Sequence, residues 1–372
     1  MVVGKHRKTI AYIDREAIFS NVQQELQRLD EKTELYAVVK ANGYGHGAVE
    51  VAKVAKEAGA TGFCVAILDE ALELREAGFT EPILVLGIVD VRYAELMASN
   101  HISVTVSSIK WLDQAEAALE KGNSSAQLAI HVALDTGMGR IGFKTADEVK
   151  AVEEWFEKHK RVYFEGIFTH FAKADSPDDQ LFKQQIKKFN VLMNNLQQKP
   201  RYIHTANSAT ALWHQESSFN LIRFGIAMYG LNPSGGALTA PYPLKPAMKL
   251  ITEISYVKQM QAGETIGYGA TYTAHENEWI GTLPIGYGDG WRRDLQGQDV
   301  LVNGQRCEIV GRICMDQCMI RLPYEVAEGT EVVLVGQSQD ETISLQEIAD
   351  HVHTIHYEIA CGLTERIPRK YV

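Results

Sequence analysis

Apolar and polar positions along this chain fall into two regimes. From about residue 13 to 235, short apolar runs alternate with stretches whose apolar residues recur at helical spacing. Tyr36–Val39, Thr61–Ala66, Pro82–Leu86, Ile102–Val106, Gln127–Leu134, Tyr163–Thr169, Arg201–Thr205 and Leu221–Phe224 read as eight short strands. Helices are predicted over 15–29, 48–58, 69–77, 108–120, Ala146–Lys158 and 178–197. In the first, Ala17, Ile18, Val22 and Leu26 share one face, and Asp14 could cap it. Strands alternating with helices at this rate predict an α/β fold, a TIM-type (β/α)₈ barrel.

The second regime begins near 235–247, where SGGALTAPYPLKP is rich in Gly and Pro. Beyond it short strands follow one another, at 248–260, 279–285, 299–302, 306–313, 317–322 and 331–335. Asn303-Gly304 between two of them is a hairpin signal. Ser344–His351 reads as a short helix. The expected organisation is a barrel over 13–240 and a C-terminal mainly-β domain over 241–372, with residues 1–12 joining the latter.

Composition narrows the functional class. With 45% hydrophobic and 23% charged residues among 372, the chain has an ordinary globular balance. A net charge of −10 argues against a nucleic-acid binder. No apolar run approaches a membrane span, and MVVGKHRKTIAYI lacks a signal peptide's apolar region, so a cytoplasmic location is expected. Cys64, Cys307, Cys314, Cys318 and Cys361 read as free thiols; Cys314 and Cys318 lack a second ligand pair, which argues against zinc. His351, His353 and His356 have no carboxylate spacing to suggest a metal and read as surface or interface histidines.

The chemistry centres on VVKANGYGHG, residues 38–47: strand, Lys40, then glycines at alternate positions. A lysine at the C-terminal end of a barrel strand, against an apolar wall, has a route to a lowered pKa and a free amine, as a Schiff base requires. The residues alone leave a surface lysine open. Gly137-Met138-Gly139-Arg140-Ile141-Gly142 matches a dinucleotide-binding G-x-G-x-x-G. Against that reading, Asp135 and Thr136 precede it, and the next strand ends in Thr169-His170 rather than a ribose-binding acid.

VVKANGYGHG resembles the cofactor-lysine segment of the alanine racemases, which use pyridoxal 5′-phosphate (PLP). The resemblance continues through LDEALELR (68–75), LDTGMGRIG (134–142), GIFTHFAKAD (166–175), ANSATALW (206–213), RFGIAMYGLNPS (223–234), GYGATY (267–272), WIGTLPIGYGDGW (279–291) and GRICMDQCMIRL (311–322). It implies that Lys40 carries the cofactor and that Arg223 partners its ring nitrogen. An arginine there keeps that nitrogen unprotonated, which limits the lifetime of a delocalised carbanion. Without the resemblance, Arg223 reads as a surface ion pair. The phosphate would be held by Ser208, by the backbone of Gly225 and Ile226, and by Tyr44 and Tyr357. Taken singly, Ser208 reads as a helix cap.

The resemblance further implies two proton-transfer residues on opposite faces, Lys40 and Tyr268, with His170 linking Arg223 to that tyrosine. In the family these meet across a homodimer interface; taken alone, Tyr268 reads as a packed β-domain residue. Arg140 and the Met315 backbone would bind the substrate carboxylate, flanked by Asp316. Asp175, Tyr287, Arg293, Arg312 and Ile355 match entryway residues. One departure stands out. Many relatives carry a carbamylated lysine seven residues before the motif arginine, where this chain has Ala133. Arg140 must then be held by a bound anion or another side chain. The implied activity is interconversion of L- and D-alanine for peptidoglycan. Racemisation of serine, a PLP-dependent decarboxylase and a non-catalytic PLP carrier are the alternatives.

Overall fold

The computed structural model describes residues 2–122 and 125–372, with Met1, Asn123 and Ser124 outside them. The chain divides into two units. One comprises Ala17–Gly43 and Ala48–Lys245; the other comprises the N-terminal residues through Glu16, Tyr44–Gly47 and Pro246–Val372.

The first unit is a nearly closed barrel of eight parallel strands. Their order is Tyr202–His204, Val162–Phe168, Leu128–Ala133, Ile102–Val106, Ile83–Val85, Gly62–Val65, Glu34–Val38 and Leu221–Phe224. Strands covered on both faces need apolar residues at successive positions, which is why they read as runs rather than alternations. Ile102–Val106 and Leu128–Ala133 are buried at every position. At the seam, Asn220 donates to the Ile203 carbonyl (3.3 Å) and Arg223 to that of Ala206 (3.0 Å).

The helices follow their local signals. Ala146–Lys158 begins at a capping box formed by Thr145 and Glu148, and buries Val149, Val152 and Trp155. Ser108 caps Ile109–Lys121. Ala94–Ser99, Ser208–Trp213 and His356–Gly362 have no counterpart in the sequence reading; at six or seven residues each they are too short to establish a period.

The second unit is a mainly antiparallel sheet. Its path runs Tyr256–Met260, Glu278–Leu283, Cys318–Leu322, Gln305–Val310, Asp299–Val302, Glu331–Ser338, Met248–Glu253, Ile10–Ile13 and Arg369–Tyr371. Ile10–Ile13 pairs antiparallel with Met248–Glu253 and parallel with Arg369–Tyr371. The single strand expected over 248–260 is two. Ile254 bonds back to Thr330 while Ser255 bonds to Thr282, so the chain changes partner strand between them. Asn303 and Gly304 both take positive φ (49° and 77°), as their hairpin turn requires. His356 corrects the expectation of surface histidines: it opens the helix His356–Gly362, is buried, and its Nδ1 lies 2.6 Å from Gln346 Oε1. No helix among the described residues is long and apolar enough to cross a membrane.

Candidate active site

Lys40 lies just beyond the C-terminal end of the strand Glu34–Val38. The five residues after it all take positive φ: Ala41 53°, Asn42 52°, Gly43 60°, Tyr44 51° and Gly45 79°. The expected glycine loop is therefore a left-handed turn that three non-glycine residues also enter, at about 1–2 kcal/mol each. Ala41 N–H donates to Glu70 Oε1 (2.6 Å), Gly43 N–H to the Val39 carbonyl (2.8 Å), and Ala48 N–H to Asn42 Oδ1 (3.0 Å). Glu70, from the helix Leu68–Glu76, accepts from Ala66 N–H (2.7 Å) with its other oxygen. Strain held in place this firmly is characteristic of a functional segment.

Arg223 stands in the buried strand Leu221–Phe224 and is 4% exposed, which removes the surface ion-pair reading. Its Nη1 donates to His204 Nδ1 (2.6 Å) and the His204 carbonyl (3.3 Å). Its Nη2 donates to the carbonyls of Thr169 (3.0 Å) and Thr205 (3.2 Å), with His170 Nδ1 at 3.3 Å. The four terminal hydrogens thus have acceptors in the barrel wall, which leaves Nε–H for a ligand acceptor. Burial brings the Arg223 pKa down to about 10, so it stays charged at neutral pH. His170 is held neutral, its pKa pushed down to about 3 by burial and then by Arg223, Arg140 and Lys40.

Ser208 is not the helix cap that its sequence position suggests. Asn207 caps Ser208–Trp213, accepting from Thr210 N–H (3.0 Å). The Ser208 hydroxyl instead accepts from Gly225 N–H (2.9 Å) and Ala227 N–H (3.4 Å), at the start of the short helix Ile226–Tyr229. Backbone donors and a hydroxyl gathered there suit a phosphate. A buried guanidinium with Nε–H to spare, a donor cluster and Lys40, all on one barrel, fit the ring nitrogen, phosphate and aldehyde of PLP.

Ala133 is buried at the end of its strand and offers nothing to Arg140. Asp135 does part of that work. Its Oδ1 accepts from Gly137 N–H and Gly139 N–H, both at 3.0 Å, and so sets the loop that carries Arg140. Asp175 is also a barrel residue.

The remaining predicted residues belong to the second unit. Tyr268 is at the tip of the hairpin formed by Thr265–Ile266 and Tyr272–Thr273, between Gly267 and Gly269, both at positive φ. It is 70% exposed, which removes the packed-tyrosine reading. A side chain at Gly269 would press on the Arg312 guanidinium, so the two are adjacent. Tyr287 N–H donates to the Cys314 carbonyl (3.1 Å) and Gly288 N–H to that of Met315 (2.8 Å), which joins the Tyr287 turn to the Met315 loop. Asp316 pairs with Arg366 (2.9 Å). Tyr287, Gly290, Arg292, Arg293 and Asp294 line an open pocket of about 460 Å³. Ile355 is exposed, and the rings of Tyr44 and Tyr357 lie 6.0 Å apart.

The sequence reading assigned no role to Glu70, Glu165, His131 or His204. For the last three the signal was a polar residue inside an apolar strand.

A family model described as the alanine racemase N-terminal domain matches residues 13–233, and one described as the alanine racemase C-terminal domain matches residues 247–371. The chain belongs to the alanine racemase family. It is 59% identical over 371 residues to an alanine racemase of Levilactobacillus brevis, covering 100% of both chains. It is similar to the crystal structure of alanine racemase from E. faecalis, with 56% identity, a TM-score of 0.97 and full coverage of both chains. A Bacillus anthracis alanine racemase structure with bound L-Ala-P matches at 44% identity and TM-score 0.95, covering 99% of this chain and 95% of that one. The alanine racemase family assignment makes this chain an isomerase.

Proposed function

We propose that this enzyme interconverts L- and D-alanine with PLP by a two-base mechanism, as a cytoplasmic homodimer that supplies D-alanine for peptidoglycan. The observation that carries the reading is the arrangement on the barrel: Lys40 on its strained turn, the buried Arg223 with Nε–H uncommitted, and the Ser208–Gly225 donor cluster. Lys40, Arg223, Ser208, Gly225, Ile226, Tyr44 and Tyr357 would hold the cofactor. When bound, PLP supplies an electron sink that acidifies the α-proton of an amino acid.

The chain's own residues then divide the work. Lys40 Nζ takes or gives the α-proton on one face. The Tyr268 hydroxyl does so on the other, contributed by the second subunit of the dimer; its exposure in the single chain supports that use. Arg223 keeps its own proton and so withholds it from the ring nitrogen. His170 stays neutral and can pass hydrogen bonds on without adding charge. Arg140, on the loop set by Asp135, and the Met315 backbone receive the substrate carboxylate, with Asp316 beside them. Asp175, Tyr287, Arg293, Arg312 and Ile355 shape the entryway.

A chiral assay of purified protein with PLP tests the reading. D-alanine formed from L-alanine, and the reverse, is the expected result. Formation of D-serine as fast as D-alanine would make the specificity broader than proposed. Release of CO₂ without racemisation would overturn the reading.

A further inference from the structure

A polar line runs through the barrel interior from Arg223. His204 Nε2 lies 2.8 Å from His131 Nδ1, and His131 Nε2 lies 3.1 Å from Glu165 Oε2. Glu165 also accepts from Ser103 (2.5 Å) and from Tyr163 (2.9 Å). These four contacts, like those of Arg223 with His204, lie within the barrel unit.

The direction of every hydrogen bond follows from the two ends. A guanidinium only donates, so His204 Nδ1 must accept from Arg223. A neutral imidazole then carries its hydrogen on Nε2 and donates to His131 Nδ1. By the same rule His131 donates from Nε2, and an ionised carboxylate only accepts. One tautomer of each ring satisfies the whole line, and protonating either ring would set donor against donor. We propose that His204, His131 and Glu165 form a one-directional relay that fixes the Arg223 guanidinium, which makes Glu165 a positioning residue acting through two neutral histidines.

Three further features are built around this line. The pairing of Val162–Phe168 with Leu128–Ala133 shifts register between Ile130, opposite Phe164, and His131, opposite Gly166. Glu165 is the extra residue of a bulge, a device that re-aims a side chain. A Cβ at Gly166 would overlap His131 Nδ1, so only glycine leaves that ring its place. Phe168 stacks on His204 (4.9 Å, 11°) and lies under the Arg223 guanidinium (5.3 Å). Burial and then Arg223 keep His204 well below the usual histidine range. Burial alone would raise Glu165, but the hydrogen bonds it accepts, that of His131 first and then those of Ser103 and Tyr163, help hold it below the usual carboxylate range. The buried guanidinium thus meets its counter-charge across two rings rather than directly, and every polar group between them is satisfied.

The test reads the relay itself. It rests on the proposed role of Arg223 only where cofactor affinity is measured. The cofactor-free chain, labelled with ¹⁵N-histidine and assigned with His131→Phe and His204→Phe, should show both rings as Nε2–H tautomers near neutral pH. An imidazolium or an Nδ1–H form at either ring overturns the proposal. Glu165→Gln keeps an acceptor and should retain both tautomers, with PLP affinity within about twofold of wild type. Glu165→Leu removes it; the His204 signals should move, although that ring is two hydrogen bonds away, and the PLP dissociation constant should rise about tenfold, the worth of one buried hydrogen bond. Lost thermal stability with unchanged His204 signals and unchanged affinity would mean a purely structural residue and overturn the positioning role. Should Glu165→Leu fail to fold, Gly166→Ala should shift His131 and His204 signals together; movement of His131 alone overturns the relay. If the wild-type chain binds no PLP, the functional reading fails while the tautomers still decide the relay.

Discussion

Ser208→Ala isolates the donor cluster assigned to the cofactor phosphate. Ser208 is 5% exposed, and its hydroxyl accepts from two backbone N–H groups, one at 2.9 Å and one at 3.4 Å. Alanine leaves both donors buried without an acceptor. The shorter bond should account for most of the loss, and one unsatisfied buried donor costs about 1–3 kcal/mol. A loss of about 2 kcal/mol in a unit of this size lowers Tm by about 4–8 °C. The assay is thermal unfolding of wild type and variant, each with and without PLP. The Ser208 hydroxyl would donate its own hydrogen to a bound phosphate, so the variant should bind PLP about tenfold more weakly, and its deficit should grow when the cofactor is present. A change below about 1 °C in the cofactor-free chain would refute the hydrogen-bond assignment. Equal deficits with and without PLP would refute the placing of its phosphate.

Three further outcomes are expected. Tyr268→Phe should slow α-proton removal from one alanine enantiomer far more than from the other; equal slowing in both directions of exchange would sink the face-specific role. Lys40→Ala should lose the covalently attached cofactor, and an adduct still trapped by borohydride would refute the assignment. His170 has a folded pKa lowered from 6.5 to about 3, so the unfolded chain takes up a proton that the folded chain refuses. The stability this contributes is present above pH 6.5 and is lost as pH falls toward 3; denaturant titrations across that window should show a shallower acid loss for His170→Gln, and an unchanged slope would contradict the buried neutral state.

Much of the fold could be read from the sequence because its elements carry strong local signals. The barrel strands are apolar runs flanked by turn residues, and Ala146–Lys158 announces itself through Thr145 and Glu148. What escaped was tertiary. The break at Ile254–Ser255 reflects a change of partner strand, which no local pattern records. The bulge at Glu165 adds one residue to a strand that reads as continuous. Of the site, Lys40 was legible as a lysine ending an apolar run before glycines, but the left-handed turn through Ala41, Asn42 and Tyr44 was not, since none of those residue types demands positive φ. Ser208 was ambiguous because a true cap, Asn207, stands one position earlier. His131, His204 and Glu165 look like isolated polar residues in separate strands; only the closure of the barrel brings them into one line.

The most direct test of the two-base reading is proton NMR and mass analysis of the first D-alanine formed from protiated L-alanine in deuterated water. With Lys40 and Tyr268 on opposite faces, the proton leaves one residue's side and a solvent-derived deuteron arrives from the other, so D-alanine should carry deuterium at Cα from the first turnovers. Early D-alanine that retains the substrate's own α-proton would mean that one group serves both faces, and would contradict the account.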